Sequence, residues 1–322
     1  PHVDNIFQNY SLYNGGGLSL GLIDNIFISK GLKPCFSVKA FSITSLKRIP
    51  LLYLFIRVID AKPEVLNIFF SMNYLHIIIR SLLLMVLVSI ITLFIGLPLA
   101  WINVRMVLPL SNVWAVLLSL PLVIPTYVGA FIYSSILGPK GVLQDLLGVL
   151  FGVEKLPDIH GLFGATLVLS LLSFPYLFLI LKSSITNLEP TLIESSKLLG
   201  YGPTKTFFKI SLPQLRPSII AGTLFVSLYT LSDFGAVSLM RYNTITWTIY
   251  QQYQSIIDRS LISLISLVLV FIAVIILFLE SRFRNKNKYY KIGTGTSTKH
   301  KKTDLGIWKL PVIFLFSFIV FV

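Results

Sequence analysis

The chain is poor in the residues that carry out chemistry. Of its 322 residues only 13 are Asp or Glu, four are His and one, Cys35, is Cys. A lone cysteine excludes a disulfide within the chain and leaves the redox compartment unread. His2, His76, His160 and His300 are scattered, without the spacing of a metal site. No G-x-x-x-x-G-K-[ST] loop is present, and Gly293-Thr-Gly295 has neither its spacing nor its helix. Nothing marks catalytic residues, metal ligands or a nucleotide site, and a polytopic membrane enzyme would need paired acids or histidines that are missing. Charged residues make up 12% of the chain, about half the share usual in a soluble domain.

What fills the gap is apolar. Hydrophobic residues make up 55% of the chain and mean hydropathy is +0.81. They gather in blocks at 81–101, 113–136, 161–181, 217–240 and 260–280, each near the roughly 20 residues that cross a bilayer. A weaker block at 35–59, interrupted by Lys39, Lys47, Arg48 and Arg57, is taken as a first span. The 13 residues of 310–322 read as the start of a further helix, so a second half is expected to follow Val322. The fold class expected is an all-α polytopic membrane protein of about six transmembrane helices. The net charge of +14 lies mostly between the blocks and therefore reads as positive-inside loops rather than as a nucleic-acid surface. Lys182, Lys197, Lys205, Lys209 and Arg216 in 182–216, and the more basic 281–309, make both loops cytoplasmic; 137–160 falls outside. Trp101, Trp114 and Trp308 stand at block ends, as interfacial rings do. The polar run Asn285–Asp304 reads as a flexible linker, ahead of an anionic-lipid site. Residues 1–47 lack the features of a signal peptide and receive no role.

The segment 188–217 reads as two short helices. Pro190 opens the first and Gly200 ends it in a left-handed cap; Pro203 opens the second and Pro213 ends it. Phe207, Phe208 and Ile210 then stand among lysines. They need burial, either in a partner's groove or flat on the membrane, and the residues alone do not choose.

Glu194-Ser195-Ser196, Gly200 and Ile210-Ser211-Leu212-Pro213 resemble, in order and spacing, the EAA loop of ABC-importer permeases, with serine in place of both alanines. The resemblance implies a loop that docks into a cleft of an ATPase subunit and passes its closure to the spans, through Glu194, Ser195, Ser196, Gly200, Pro203, Phe207, Ile210, Leu212 and Pro213. Two further stretches resemble the iron(III) branch of these permeases, which often fuses two halves in one chain. One is Leu120-Pro-Leu-Val-Ile-Pro-Thr-Tyr-Val128 with Leu137-Gly-Pro139; the other is Leu231-Ser-Asp-Phe-Gly-Ala-Val237 with Arg241-Tyr242 and Thr246. The likeness covers about 48–322. It implies a permease domain over 48–281, a basic cytoplasmic linker over 282–308 and the start of a second half over 309–322.

Also implied are a multi-pass place in the bacterial inner membrane and no cofactor bound by this chain, with ATP and Mg held by the partner ATPase. Expected partners are ABC ATPase subunits, a periplasmic or lipid-anchored substrate-binding protein, a second permease half (fused or separate) and the bilayer, with no nucleic acid. The substrate implied is ferric iron; the alternatives are thiamine or another small solute, or a carrier outside the ABC class.

Within the blocks, Pro121 and Pro125 break 113–136 and Pro175 breaks 161–181, each removing a helix hydrogen bond. Such breaks border transport pathways and also occur as packing kinks. Asp233 is the one acid deep in 217–240, and a buried carboxylate requires a partner or a wet cavity. With Tyr229 and Ser232 it is a candidate to line the path, Arg241 or Arg80 being its expected partner; a structural hydrogen bond is the alternative.

Overall fold

The computed structural model describes residues 49–59, 65, 69, 72–139, 141–145, 158–254, 259–285, 306 and 309–321. Residues 1–47, Trp308 and most of the 282–308 linker lie outside these. The chain divides into two units, Pro1–Tyr53 and Leu54–Val322. The described residues are helical, with turns and no β-strand among them. Of the 35–59 block they include α1 (Ile49–Ile59), whose 11 residues reach about 16 Å, half a hydrocarbon core.

The second unit is a bundle around α5 (Leu162–Thr186), flanked by α2 (Met72–Arg105) and α8 (Leu212–Ser232). The 3.6-residue period puts Val168, Leu172 and Phe178 of α5 inside, and α2 adds Leu84, Val88 and Leu99 to the same core. Without water in the bilayer, close packing rather than the hydrophobic effect holds such helices together. Gly222 shows how: a Cβ there would lie 2.3 Å from Leu177 Cδ1, so a bare backbone lets α8 approach α5. Two hydroxyl pairs add polar clasps, Ser89–Ser227 at 2.8 Å between α2 and α8 and Ser184–Ser218 at 2.7 Å between α5 and α8.

Between α2 and α5 the chain forms α3 (Ser111–Leu117), a tight turn (Leu120–Val123) and α4 (Thr126–Leu137). The two limbs of this span meet at 98°, so Pro121 and Pro125 do break it. Pro175 does not. It sits inside an unbroken α5, as Pro98 does in α2 and Pro217 in α8. The 217–240 block also differs from expectation: α8 stops at Ser232, Asp233 is extended, and a short α9 (Gly235–Leu239) follows. α10 (Ile245–Gln254) leads into α11 (Arg259–Asn285). By length and composition three of the described helices can cross a membrane, or four if the bent span counts as one. α8 is long enough, about 30 Å, but Gln214 and Arg216 make its first turn polar. α12 (Lys309–Phe321) packs on α3, burying Phe316 edge-on to Trp114 at 5.8 Å.

A candidate coupling loop and a candidate pathway

The loop between α5 and α8 forms a small folded body. α6 (Pro190–Leu198) ends as expected: Gly200 has φ +76°, the Tyr201 N–H reaches back to the Ser196 carbonyl at 3.0 Å, and the helix is capped. α7 (Pro203–Thr206) starts at Pro203, where a missing N–H costs nothing. Ser196 is 1% exposed, and its Oγ lies 3.0 Å from Thr206 Oγ1, tying α6 to α7. The small residue at 196 therefore has a polar use that alanine would lack. Glu194 and Ser195 are exposed.

The second loop helix does not stop at Pro213. Phe207–Ser211 forms a π-turn, and the chain runs on as α8 with Pro213 in its first turn. Inside this continuous helical run the N–H that Pro213 lacks falls just after the π-turn, where the backbone bonds have already left the regular i→i−4 register. Phe207 turns inward, edge-on to Trp101 of α2 at 4.6 Å, and Ile210 and Leu212 are half-buried. Of Phe207, Phe208 and Ile210 only Phe208 faces out, at 59% exposure, and it is joined by Leu198 at 90% and Leu199 at 75%. Leu198 and Leu199 were visible in the sequence as the apolar end of α6, just before its cap. Lys205 lies over the Tyr201 ring at 4.3 Å, so its charge flanks the apolar tip.

At the other end of α8 lie the pathway candidates. Asp233 is buried, and its carboxylate accepts the Ala236 N–H at 2.9 Å together with bonds from Thr126 and the Val237 backbone. It caps α9 and fastens it to the first residue of α4. Thr246 donates to the Asp233 carbonyl at 2.8 Å, and Tyr242 Oη to the Arg80 carbonyl at 3.2 Å. The expected arginine partner is thus replaced: among the described residues no ion pair forms at Asp233. Arg241 stands near Asp158 instead, whose carboxyl is held below the usual range by the His160 N–H first and the His160 side chain second. Gly235 is forced by proximity, since a Cβ would lie 2.6 Å from Thr126 Oγ1. Pro125 and Asp233 are therefore brought to one place, where the bend of the α3–α4 span meets the break after α8. Pro121 is set apart in the tight turn. Tyr229 packs against Tyr176 at 5.1 Å, and Ser232 is exposed.

A family described as binding-protein-dependent transport system inner membrane component matches residues 81–285. The Fe(3+)-transport system permease protein FbpB 2 of Haemophilus influenzae is 29% identical over 275 residues, 85% of this chain and 51% of that protein. The chain therefore spans about half the length of that relative. The molybdenum transport system permease protein ModB of Escherichia coli is 30% identical over 44% of this chain and 60% of its own. Among solved structures, a bacterial alginate ABC transporter in complex with a periplasmic protein aligns with TM-score 0.60 at 14% identity, covering 83% of this chain and 94% of the other. An amino acid ABC transporter aligns at 0.52 with 16% identity, over 70% and 100%. These likenesses are of fold, and they agree with the helical bundle described above. With the family match running from α2 to the end of α11, the chain belongs to the binding-protein-dependent transport system inner membrane components, the permeases of ABC importers.

Proposed function

We propose that this chain is a permease half of an ATP-driven ferric-iron importer, and that the α6–α7 loop is the docking site of its ATPase. One observation carries the docking: a loop body tied together by Ser196 and Thr206 holds Leu198, Leu199 and Phe208 outward around a glycine at which an added Cβ would meet nothing. Apolar tips on a preformed body are what a groove recognises. The same body rests on α2 through Phe207 and Trp101 and runs without a break into α8, so a push on it reaches the spans. The partner supplies ATP and Mg, and the chemistry of this chain is a change of conformation that opens its path to alternate sides. Ferric iron is supported by the FbpB relatives, one of them matched over 85% of this chain. ModB makes molybdate the second reading.

The full-length protein, assembled with its ATPase and binding protein in liposomes, tests both. Cysteine at Leu198 should cross-link to the ATPase, and ATP should drive uptake of labelled ferric iron into the vesicles. Uptake of molybdate in place of iron would overturn the substrate. Absence of a cross-link from Leu198 in a transporting complex would overturn the docking site.

A further inference from the structure

Ser81, Ser119, Ser184, Ser227, Thr230 and Thr248 each donate their hydroxyl to the carbonyl four residues back. Ser211 departs from this pattern. It is 1% exposed, and its Oγ has no partner. The cause is the turn that holds it. In the π-turn Phe207–Ser211 the Phe207 carbonyl, which a hydroxyl at 211 would reach in an α-helix, accepts instead from the Leu212 N–H, five residues on. Thr166 and Ser170 also lack partners, but within regular α5; Ser211 lacks one at the end of the π-turn. Beside the turn a second group is unsatisfied. Nε and Nη2 of Arg105 are buried without partners, and the guanidinium lies 5.5 Å from the Trp101 ring that meets Phe207.

The surroundings are well bonded. At the end of α5, Ile185 and Leu188 are buried, and Asn187 donates its N–H and its side-chain amide to the Ser183 carbonyl. Within the loop, Ser196 and Thr206 join α6 to α7. Beyond the turn, Ser184–Ser218 holds α8 in its present register. The π-turn is thus an under-bonded joint between two firm bodies.

We propose that Phe207–Ser211 is a register joint through which ATPase motion enters α8, with Ser211 as its positioning residue. This rests on the docking reading above. Closing the turn from π to α rotates α8 against the loop by one residue, about 100°. The closed register gives Ser211 the Phe207 carbonyl and requires the Ser184–Ser218 pair to part. π-turns inside helices recur at functional sites because they store one such step of register.

The test uses the complete transporter with its ATPase in liposomes, in a Cys35→Ser background. Spin labels at Thr204 and Arg216, both exposed, flank the joint. A side chain on a radius of about 5–6 Å turned by about 100° moves about 8 Å, so the label distance should differ by several and at most about 8 Å between nucleotide-free and ATP-trapped states. Deleting Lys209 removes the extra residue. It should lock one of the two distances and lower uptake while the Leu198 cross-link to the ATPase persists. Ser211→Ala, which removes only an unpartnered hydroxyl, should reduce the population of the second distance, because nothing then favours the α register. A single distance in both states with the Leu198 cross-link intact overturns the joint and leaves the docking site standing. Absence of the Leu198→Cys cross-link in a complex whose π-turn is otherwise unaltered overturns both.

Discussion

Gly200 gives the sharpest test of how the loop works, because two reasons for a glycine can be separated there. Its φ of +76° lies in the left-handed region, and a Cβ at this position would meet no atom within 4 Å. Within this chain the cost of a side chain is therefore one of backbone conformation alone. For a β-branched residue that cost is on the order of 1–2 kcal/mol, roughly a 5–30-fold change in the population of the capped loop. Asparagine visits the left-handed region with little penalty. Gly200→Val should then reduce uptake and substrate-stimulated ATPase activity by about that factor, while Gly200→Asn keeps most of both; thermal unfolding of the bundle should not move. If valine leaves coupling unchanged, the cap does not matter to function. If asparagine is as damaging as valine, the conformational argument fails, and the glycine is required because the ATPase touches it. Gly202 supplies the control: its φ is −67°, alanine is allowed, and nothing lies within 4 Å. Loss of coupling in Gly202→Ala would register the approach of the partner itself.

Three other outcomes follow from the packing and the charge pattern. Gly222→Leu places atoms on Leu177, so it should destabilise the bundle by about 1–3 kcal/mol in a thermal or denaturant assay, with partial recovery on adding Leu177→Ala; an unshifted midpoint would refute the close contact of α5 and α8. Asp233→Ala removes the cap of α9 and its tie to Thr126, at a cost of about 0.5–2 kcal/mol, and should lower uptake, whereas Asp233→Asn keeps an acceptor oxygen and should lose less; equal loss in both would show that the charge, not the cap, is what counts. Single cysteines at Lys205 and Lys288, in a Cys35→Ser background, should resist an impermeant thiol reagent in intact cells, and labelling of either before lysis would reverse the orientation.

The helical class and the place of the loop were legible because both leave marks that local sequence can carry. Apolar blocks of spanning length mark membrane helices, and Pro190, Gly200 and Pro203 mark helix ends whose geometry they dictate. What was not legible depends on contacts far along the chain. Pro175 reads as a break, but it lies inside the continuous and most buried helix of the bundle, whose neighbours hold it. Pro213 reads as a stop, yet the helical run continues through it, which depends on the π-turn before it, for which no residue pattern is diagnostic. Asp233 reads as a charge that needs an arginine or a structural hydrogen bond; it has the second, and one donor is Thr126, more than 100 positions earlier, across a bend no local pattern predicts. Phe207 and Phe208 are adjacent and alike, yet one is clasped by Trp101 and the other is exposed, a difference set by α2.

The residues singled out by sequence gather where regular helix fails. One group surrounds the left-handed cap at Gly200 and the π-turn at Phe207; the other surrounds the break at Asp233 and the bend at Pro125. A buried polar group without a partner is costly, so a helix interrupted at both ends requires compensating partners at both. Asp233 finds them in Ala236, Val237 and Thr126; Ser211 and Arg105 do not. The contrast separates the two ends physically. The Asp233 end is satisfied and fixed, the Ser211 end is unsatisfied and has a second register within reach, and α8 joins them as one rigid piece of 21 residues. Under the coupling proposed above, a push at the loop would turn α8 at the Ser211 end and be carried by it to the end fastened to the bend of the split span.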